Sequence, residues 1–179
     1  MRIVELRRHT MRVIPGKHLS QAGVTLARTV GQTMGHFDQV LTSELPRAYE
    51  TAIAMGYAVD GQYPELNTTG DSVEAEVPYP ASPAQYSAAI KAGGAASEAA
   101  KNLYAFLKKV IQALPNEAAV LMISHGGVVE LAAIGCMPNE DHAAWGAPFS
   151  YCEGVRLSFE DGQFTHLEIL RVDQGNPSK

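Results

Sequence analysis

The segment 119–124 (Ala-Val-Leu-Met-Ile-Ser) constrains the fold most, because it is an unbroken apolar run of strand length. A strand that is apolar on both faces is typical of a parallel sheet covered by helices on both sides. Further strands are predicted at 2–8 and 38–43, and each is followed by a segment with helix signals. This alternation predicts an α/β fold, a three-layer sandwich in which helices cover both faces of a mostly parallel central sheet.

The other elements are predicted from caps, apolar periodicity and turn signals. They are helices from Ser20 to about Met34, from Ser43 to near Gly56, over 84–92, from Ser97 to Pro115 and from about Gly127 to Cys136, a short edge strand at Tyr57–Val59, and a closing hairpin of Val155–Phe159 and Phe164–Arg171. We interpret residues 1–179 as a single domain. The Pro-, Gly-, Ala- and Ser-rich stretch at about 61–96 is predicted to form a lid-like excursion over the strand ends.

Composition excludes several classes of function. The formal net charge is −5, which argues against a broad nucleic-acid surface or a polybasic membrane surface. No apolar run reaches the roughly 20 residues of a membrane span, and the N-terminus shows no secretory signal pattern. Cys136 and Cys152 lack metal-ligand spacing and predict ordinary buried thiols. We expect a cytoplasmic monomer or homodimer that binds neither nucleic acid nor membranes.

Two histidines stand where predicted parallel strands end. His9 follows the first strand, with Arg8 beside it, and His125 follows the strand at 119–124. Arg47 lies in the first turn of the helix after the second strand, where backbone N–H groups favour an anion. Since ligands of open α/β sheets bind beyond the carboxyl ends of the strands, these side chains are predicted to converge on one anion-binding site.

The residue types in this predicted site suit a phosphoryl group. Arginine donates two parallel hydrogen bonds to phosphate oxygens, and neutral histidine can act as a nucleophile. Gly126 and Gly127 allow a ligand to approach the backbone closely after His125. Two imidazoles, two arginines and two helix N-termini together predict phosphoryl chemistry more specifically than any one of them alone.

At these motifs the sequence resembles the histidine phosphatase superfamily, in its phosphoglycerate mutase-like branch, over essentially the whole chain. The matching segments are Arg8-His9-Thr10, Leu19-Ser20-Gln21-Ala22-Gly23, Ser43-Glu44-Leu45-Pro46-Arg47-Ala48-Tyr49-Glu50-Thr51-Ala52, and the strand from Val120 that leads to Ser124-His125-Gly126-Gly127. The resemblance implies a phosphoglycerate mutase-like fold. It also implies a small phosphorylated substrate, with a phosphoprotein as an open alternative.

The resemblance further implies a role for each matching residue. His9 would be the nucleophile that becomes phosphohistidine, while Arg8, Arg47 and His125 would hold the phosphoryl oxygens and stabilise transition-state charge. No metal and no cofactor would be required. Two positions depart from the pattern: Thr10 replaces a glycine, and Pro15 replaces an asparagine that binds phosphate in many members. Arg12 is a candidate to replace that missing donor.

The general acid is open between four carboxylates. The resemblance places it shortly after the third strand in a Glu-x-x-x-Gly context, and here Glu65 precedes Gly70 with one residue too many. Glu65 is the first candidate, and Asp71, Glu74 and Glu76 compete with it. Such an acid protonates the leaving alkoxide and then activates water.

The sequence therefore predicts a metal-independent phosphomonoester hydrolase that acts through a phosphohistidine. Two alternatives stay open: a catalytically silent phosphate- or phosphoprotein-binding module, and a phosphoglycerate mutase-type phosphotransferase. Trp145 and Tyr151 are predicted either to line the substrate entrance or to belong to the core. His18, His36, His142 and His166 are predicted to lie on the surface or in loops.

Overall fold

The computed structural model describes residues 1–173. It contains a sheet of six strands in the order β3-β2-β4-β1-β5-β6. The strands are β1 (Arg2–Arg8), β2 (Gln39–Thr42), β3 (Gly61–Gln62), β4 (Ala119–Ser124), β5 (Gly154–Glu160) and β6 (Gln163–Leu170). Strands β1 to β4 are parallel, and β5 and β6 join β1 as antiparallel strands. The prediction of a mostly parallel central sheet is confirmed, with the closing hairpin as its antiparallel edge.

Helices cover both faces of this sheet, as predicted. They are α1 (Gln21–Gly31), α2 (Pro46–Met55), α3 (Asp71–Glu76), α4 (Pro83–Ala92), α5 (Ala95–Ala113) and α6 (Val128–Cys136). Alternate residues of β4 explain the two layers. Leu121 and Ile123 pack with residues of α1 and α2, whereas Val120 and Met122 pack with residues of α3 to α6. Both faces of β4 are therefore buried, which accounts for its apolar sequence.

The third strand lies later in the chain than predicted. The prediction at Tyr57–Val59 is wrong, because α2 ends in a left-handed turn at Gly56 and the Tyr57 N–H still bonds to Ala52 O. The Tyr57 ring then packs edge-on against Phe37. Pairing with β2 begins only at Asp60, and regular strand structure is confined to Gly61–Gln62.

The excursion at 61–96 contains more structure than predicted, including a 3₁₀ turn at Pro64–Leu66 and helix α3. Helix α4 is confirmed, and Ser82 and Gln85 form a capping box at its start. Ser97 does not cap α5, which begins at Ala95 because Glu76 accepts the N–H groups of Ala95 and Ala96.

The closing hairpin and the thiols agree with the sequence. Asp161 and Gly162 both have positive φ angles of 49° and 81°, as a two-residue hairpin turn requires. Cys136 and Cys152 are free and buried. None of the helices found in residues 1–173 is long and apolar enough to cross a membrane.

Candidate active site

The carboxyl ends of three adjacent strands deliver the core of the site. His9 follows β1, His125 follows β4 and Ser43 follows β2, and β4 lies between the other two strands. Backbone hydrogen bonds continue the sheet into the site, since His9 N donates to Ser124 O (2.9 Å) and Ser43 N to Ile123 O (3.0 Å). The two imidazole rings lie 5.0 Å apart between centroids, so the predicted convergence of the histidines is present in the structure.

Local hydrogen bonds fix the orientation and the tautomer of His9. Its Nδ1 lies 2.6 Å from Thr10 O, an acceptor, so Nδ1 carries the proton of the neutral ring. Nε2 is then unprotonated, and it accepts a hydrogen bond from Arg47 Nε at 3.2 Å. The lone pair of Nε2 therefore points towards the guanidinium that would hold a phosphoryl oxygen.

His125 is oriented from the opposite side by Ser43. The distance between Ser43 Oγ and His125 Nε2 is 2.7 Å, and Ser43 Oγ also accepts the N–H of Leu45 (3.3 Å). When the Ser43 hydroxyl donates to Nε2, the neutral ring carries its proton on Nδ1. Nδ1 is then a hydrogen-bond donor.

The first turn of α2 holds Arg47 against His9. Thr51 Oγ1 donates to Arg47 O (2.6 Å) and accepts the N–H of Thr10 (3.1 Å), so one hydroxyl joins α2 to the segment after β1. Thr10 Oγ1 donates in turn to Gly23 O in α1 (3.0 Å). Thr10 is buried and its φ is not positive, so the residue that replaces glycine fits here without backbone strain.

Two buried nitrogens in this site have no protein partner. Among residues 1–173, the buried side-chain nitrogen and oxygen atoms without a hydrogen bond are Arg8 Nε and His125 Nδ1. Arg8 is fixed on its other side, since one terminal nitrogen donates to Phe149 O (3.1 Å) and its guanidinium carbon lies 4.3 Å from the Tyr151 ring centroid. An unpaired buried donor costs free energy, so both nitrogens indicate a ligand with acceptor oxygens.

Burial and positive charge keep both histidines neutral. The pKa of His9 is lowered to about 3, mainly by burial and then by Arg47, Arg8 and Arg12, against an opposing effect of its bond to Thr10 O. The pKa of His125 is lowered to about 2 by burial, by His9 and by Arg47 and Arg8. Both imidazoles are therefore neutral at neutral pH, which is the form in which a histidine can act as a nucleophile.

These lowered pKa values predict that stability decreases in acid. As the pH falls below 6.5, the unfolded chain binds protons that the folded protein does not, so the free energy of unfolding decreases. Each histidine contributes up to about 1.4 kcal/mol per pH unit to this slope and nothing above about pH 7.5. Urea denaturation between about pH 7.5 and about pH 4.5 measures the slope. We expect a shallower slope for His125→Asn, and an unchanged slope would contradict a neutral His125.

Arg12 belongs to the same positively charged cluster, and Pro15 lies in the loop that the Arg12 side chain bonds to. Burial lowers the pKa values of His9 and Arg47, and the charge of Arg12 lowers both further, so its guanidinium lies within electrostatic range of His9. One of its terminal nitrogens donates to Gly16 O (2.7 Å), which fixes the side chain across the loop. Pro15 is exposed in that loop.

The candidate acids do not contact the histidines. Glu65 is exposed in the 3₁₀ turn, and no hydrogen bond or ion pair joins it to His9 or His125 within the described chain. The turn itself reaches the strand ends, since Leu66 O accepts the hydroxyl of Ser124 (2.7 Å). Glu76 is bound to the start of α5, and these bonds lower its pKa.

Asp71 and Glu74 lie in the first turn of α3 and are exposed. The charge of Glu74 reaches the buried Tyr86, whose hydroxyl packs against Gly127 at the start of α6. Burial raises the pKa of Tyr86, and the charges of Glu130, Tyr79 and Glu74 add to this, so α3 brings Glu74 within electrostatic range of a residue beside the His125 turn.

Sequence reasoning missed residues that support the site. Ser43 was assigned only a helix cap, although the cap position belongs to Leu45 and the Ser43 hydroxyl orients His125. Glu130 is fully buried below the site, where it accepts the N–H groups of Gly127 (2.8 Å) and Phe149 (2.9 Å). Burial raises the pKa of Glu130, and no Ser/Thr-x-x-Glu signal in the sequence marks its bond to Gly127, because glycine has no side chain to complete a capping box.

The remaining histidine and aromatic predictions have mixed outcomes. His142 lies in a turn between α6 and β5, in agreement with the prediction of a surface or loop position, but its ring is buried between Ser87 Oγ (2.8 Å) and Met137 O (2.9 Å). Trp145 belongs to the core and packs edge-on against His142. Tyr151 lies beside the site, 6.1 Å from the His9 ring. Residues 1–173 contain no cluster of three or more His, Cys, Asp or Glu side chains that could hold a metal ion.

Comparisons with known proteins agree with this geometry. Residues 7–170 match the family model of the histidine phosphatase superfamily (branch 1). No curated protein sequence matches the chain significantly. Solved structures with a similar fold include phosphoserine phosphatase from Entamoeba histolytica in complex with 3-phosphoglyceric acid, with a TM-score of 0.68, 17% identity, and coverage of 96% of this chain and 98% of that chain. A mycobacterial glucosyl-3-phosphoglycerate phosphatase in complex with VO3 has a TM-score of 0.71 and 17% identity, with coverage of 97% and 100%.

Proposed function

Because the chain belongs to the histidine phosphatase superfamily (branch 1), a family of phosphatase and phosphotransferase enzymes, we propose that it hydrolyses phosphate monoesters. The proposed reaction proceeds through a phosphohistidine on His9 and needs no metal ion. The observation that carries this proposal is the pair of unpartnered buried donors, Arg8 Nε and His125 Nδ1, beside a neutral His9. A phosphoryl group supplies the acceptor oxygens that these two nitrogens lack.

The first chemical step follows from the orientation of His9. Nε2 attacks phosphorus, the N–P bond forms, and the P–O bond to the leaving group breaks with both electrons going to oxygen. Arg8, Arg47 and His125 donate hydrogen bonds to the non-bridging oxygens, where charge is concentrated in the transition state. The bond from Nδ1 to Thr10 O stabilises the positive charge that develops on the ring. Arg12 is proposed as a further donor in place of the missing asparagine.

The second step hydrolyses the phosphohistidine. Water attacks phosphorus in line with the N–P bond, and the electron pair of that bond returns to His9 Nε2. A carboxylate that protonated the leaving oxygen in the first step accepts a proton from the water in the second. We propose Glu65 for this role because of its position after β3, with Glu74 as the competitor favoured by its effect on Tyr86.

We propose a small phosphorylated molecule as the substrate. Two proteins with this fold are, by their names, phosphatases of phosphoserine and of glucosyl-3-phosphoglycerate, which supports a substrate of this size and charge. The same phosphoryl-binding residues, Arg8, Arg47 and His125, are compatible with a phosphoryl-binding module without activity and with a mutase-type phosphotransferase. The tautomer and neutrality of His9 favour a covalent enzyme over a silent module, since a pure binder needs no unprotonated Nε2.

Phosphate release from p-nitrophenyl phosphate in the presence of EDTA tests this function. We expect turnover that is the same with and without the chelator, because arginine and histidine supply the charge stabilisation. Loss of activity on chelation would contradict the metal-independent reaction. Complete inactivity with phosphate still bound would favour the silent module, and interconversion of phosphoglycerates faster than hydrolysis would favour the phosphotransferase.

A further inference from the structure

Arg8 lacks the carboxylate partner that three other arginines of the fold have. Arg7 bonds to Glu5, Arg156 to Glu5 and Arg171 to Glu153, so each of these three is paired with a carboxylate. Arg8 has no ion pair with a carboxylate among residues 1–173. The nearby Glu130 instead bonds to two backbone N–H groups.

Two tyrosines contact the guanidinium of Arg8. Its central carbon lies 4.3 Å from the ring centroid of Tyr151 and 5.5 Å from that of Tyr79. Aromatic faces attract a guanidinium without neutralising its charge and leave the N–H groups at its edge available. A carboxylate in the same place would occupy those donors and cancel the charge that must bind a phosphoryl dianion.

The two rings also connect Arg8 to the two histidines. The Tyr151 ring lies 6.1 Å from the His9 ring. Tyr79 packs directly on Gly126, the residue after His125, where a Cβ atom would lie only 2.5 Å from ring carbon Cε2. A side chain at Gly126 would therefore displace Tyr79 from its place beside Arg8.

Tyr79 and Tyr151 come from separate parts of the chain. Tyr151 lies between α6 and β5, close to Phe149, whose carbonyl oxygen accepts a hydrogen bond from Arg8. Tyr79 lies in the excursion, between α3 and α4, and is 42% exposed. The excursion thus contributes one of the two rings that hold the phosphate-binding arginine.

We propose that Tyr79 and Tyr151 are positioning residues that hold Arg8 by its aromatic contacts, so that its N–H edge meets the phosphoryl group. Tyr79 belongs to the excursion. The packing of this segment against Gly126 therefore controls how well the Arg8 guanidinium is held in one position. This inference rests on the proposed function, in which Arg8 binds the phosphoryl oxygens.

Binding of inorganic phosphate tests the inference separately from turnover. We expect Tyr79→Leu and Tyr151→Leu each to weaken phosphate binding about tenfold by calorimetry, because the cation–π contact is lost. Tyr79→Phe and Tyr151→Phe keep the ring and should stay within about threefold of the unchanged protein. Tyr49→Leu is the matched control, because Tyr49 is 41% exposed on α2 and lines a different groove.

An Arg8→Ala background separates positioning from general structural damage. In that background, each Leu substitution should weaken phosphate binding by no more than about twofold, since the Arg8 guanidinium on which the tyrosine acts is absent. An equal loss in both backgrounds, an equal loss in the Phe and Leu variants, or unchanged binding in both Leu variants would overturn the inference. If Tyr79→Leu does not fold, Tyr151→Leu is taken through the same cycle. Normal phosphate binding without hydrolysis would count against the proposed function alone, whereas no phosphate binding by the unchanged protein would overturn both.

Discussion

Replacing His9 with alanine is expected to abolish turnover of every phosphate ester, whatever its leaving group. The neutral Nε2 of His9 is the atom proposed to form the bond to phosphorus, and its proton lies on Nδ1, bonded to Thr10 O. Removal of the nucleophile from a covalent enzyme costs on the order of 10⁴-fold or more in kcat. Steady-state hydrolysis of p-nitrophenyl phosphate and of an alkyl phosphate measures the loss, which should be the same for both.

The covalent intermediate gives a second measurement of the same prediction. Labelled substrate quenched during turnover should leave acid-labile phosphate on the unchanged protein and none on His9→Ala. His36→Ala is a suitable control because His36 is an exposed histidine, with its side chain 86% accessible beside Asp38. Undiminished turnover in His9→Ala, or labelling that persists there, would contradict His9 as the nucleophile.

Inorganic phosphate should still bind to His9→Ala, because Arg8, Arg47 and His125 remain. This distinguishes loss of the nucleophile from loss of the fold.

The fold was predictable because its signals are local. The strand at 119–124 is apolar on both faces, and that pattern alone requires two helical layers. Asp161-Gly162 adopts the positive φ angles that its sequence favours. The predicted position of the third strand was wrong because the Tyr57 N–H bonds to the end of α2 and the Tyr57 ring packs against Phe37. These contacts depend on tertiary packing, which the local sequence does not reveal. The start of α5 was misplaced for the same reason, since Glu76 comes from another helix.

The proximity of the residues proposed to bind phosphate was predictable from their positions at strand ends. Arg8 ends β1, His9 follows it and His125 follows β4, and the carboxyl ends of neighbouring parallel strands lie at the same edge of the sheet. Supporting residues were not predictable in this way. The hydroxyl of Ser43 could cap a helix or orient a histidine, and only the position of His125 decides between them. Tyr79 reaches Arg8 across an excursion whose path no local pattern fixes.

The four candidates for the general acid lie in that same excursion, and the assignment of Glu65 yields the second large expected effect. Glu65→Gln should lower the hydrolysis of alkyl phosphates by about 10²–10⁴-fold, because an alkoxide leaves poorly without a proton. It should affect p-nitrophenyl phosphate much less, since nitrophenolate needs little protonation. Glu117→Gln is the matched control, because Glu117 precedes β4 at the opposite end of the sheet from the histidines.

An equal loss with both esters would count against Glu65 as the acid unless hydrolysis of the phosphohistidine limits both reactions, and a single-turnover burst separates these cases. Unchanged alkyl-phosphate turnover in Glu65→Gln would transfer the same test to Glu74 and then to Asp71. Glu76→Gln has a different expected signature, because Glu76 accepts the N–H groups at the start of α5 and its pKa is lowered by these bonds. Glutamine keeps one accepting oxygen and replaces the other with an NH2 donor, so loss of one of the two bonds should reduce thermal stability, whereas loss of a catalytic acid should change the ratio between alkyl and aryl substrates. That ratio therefore identifies the acid independently of any change in stability.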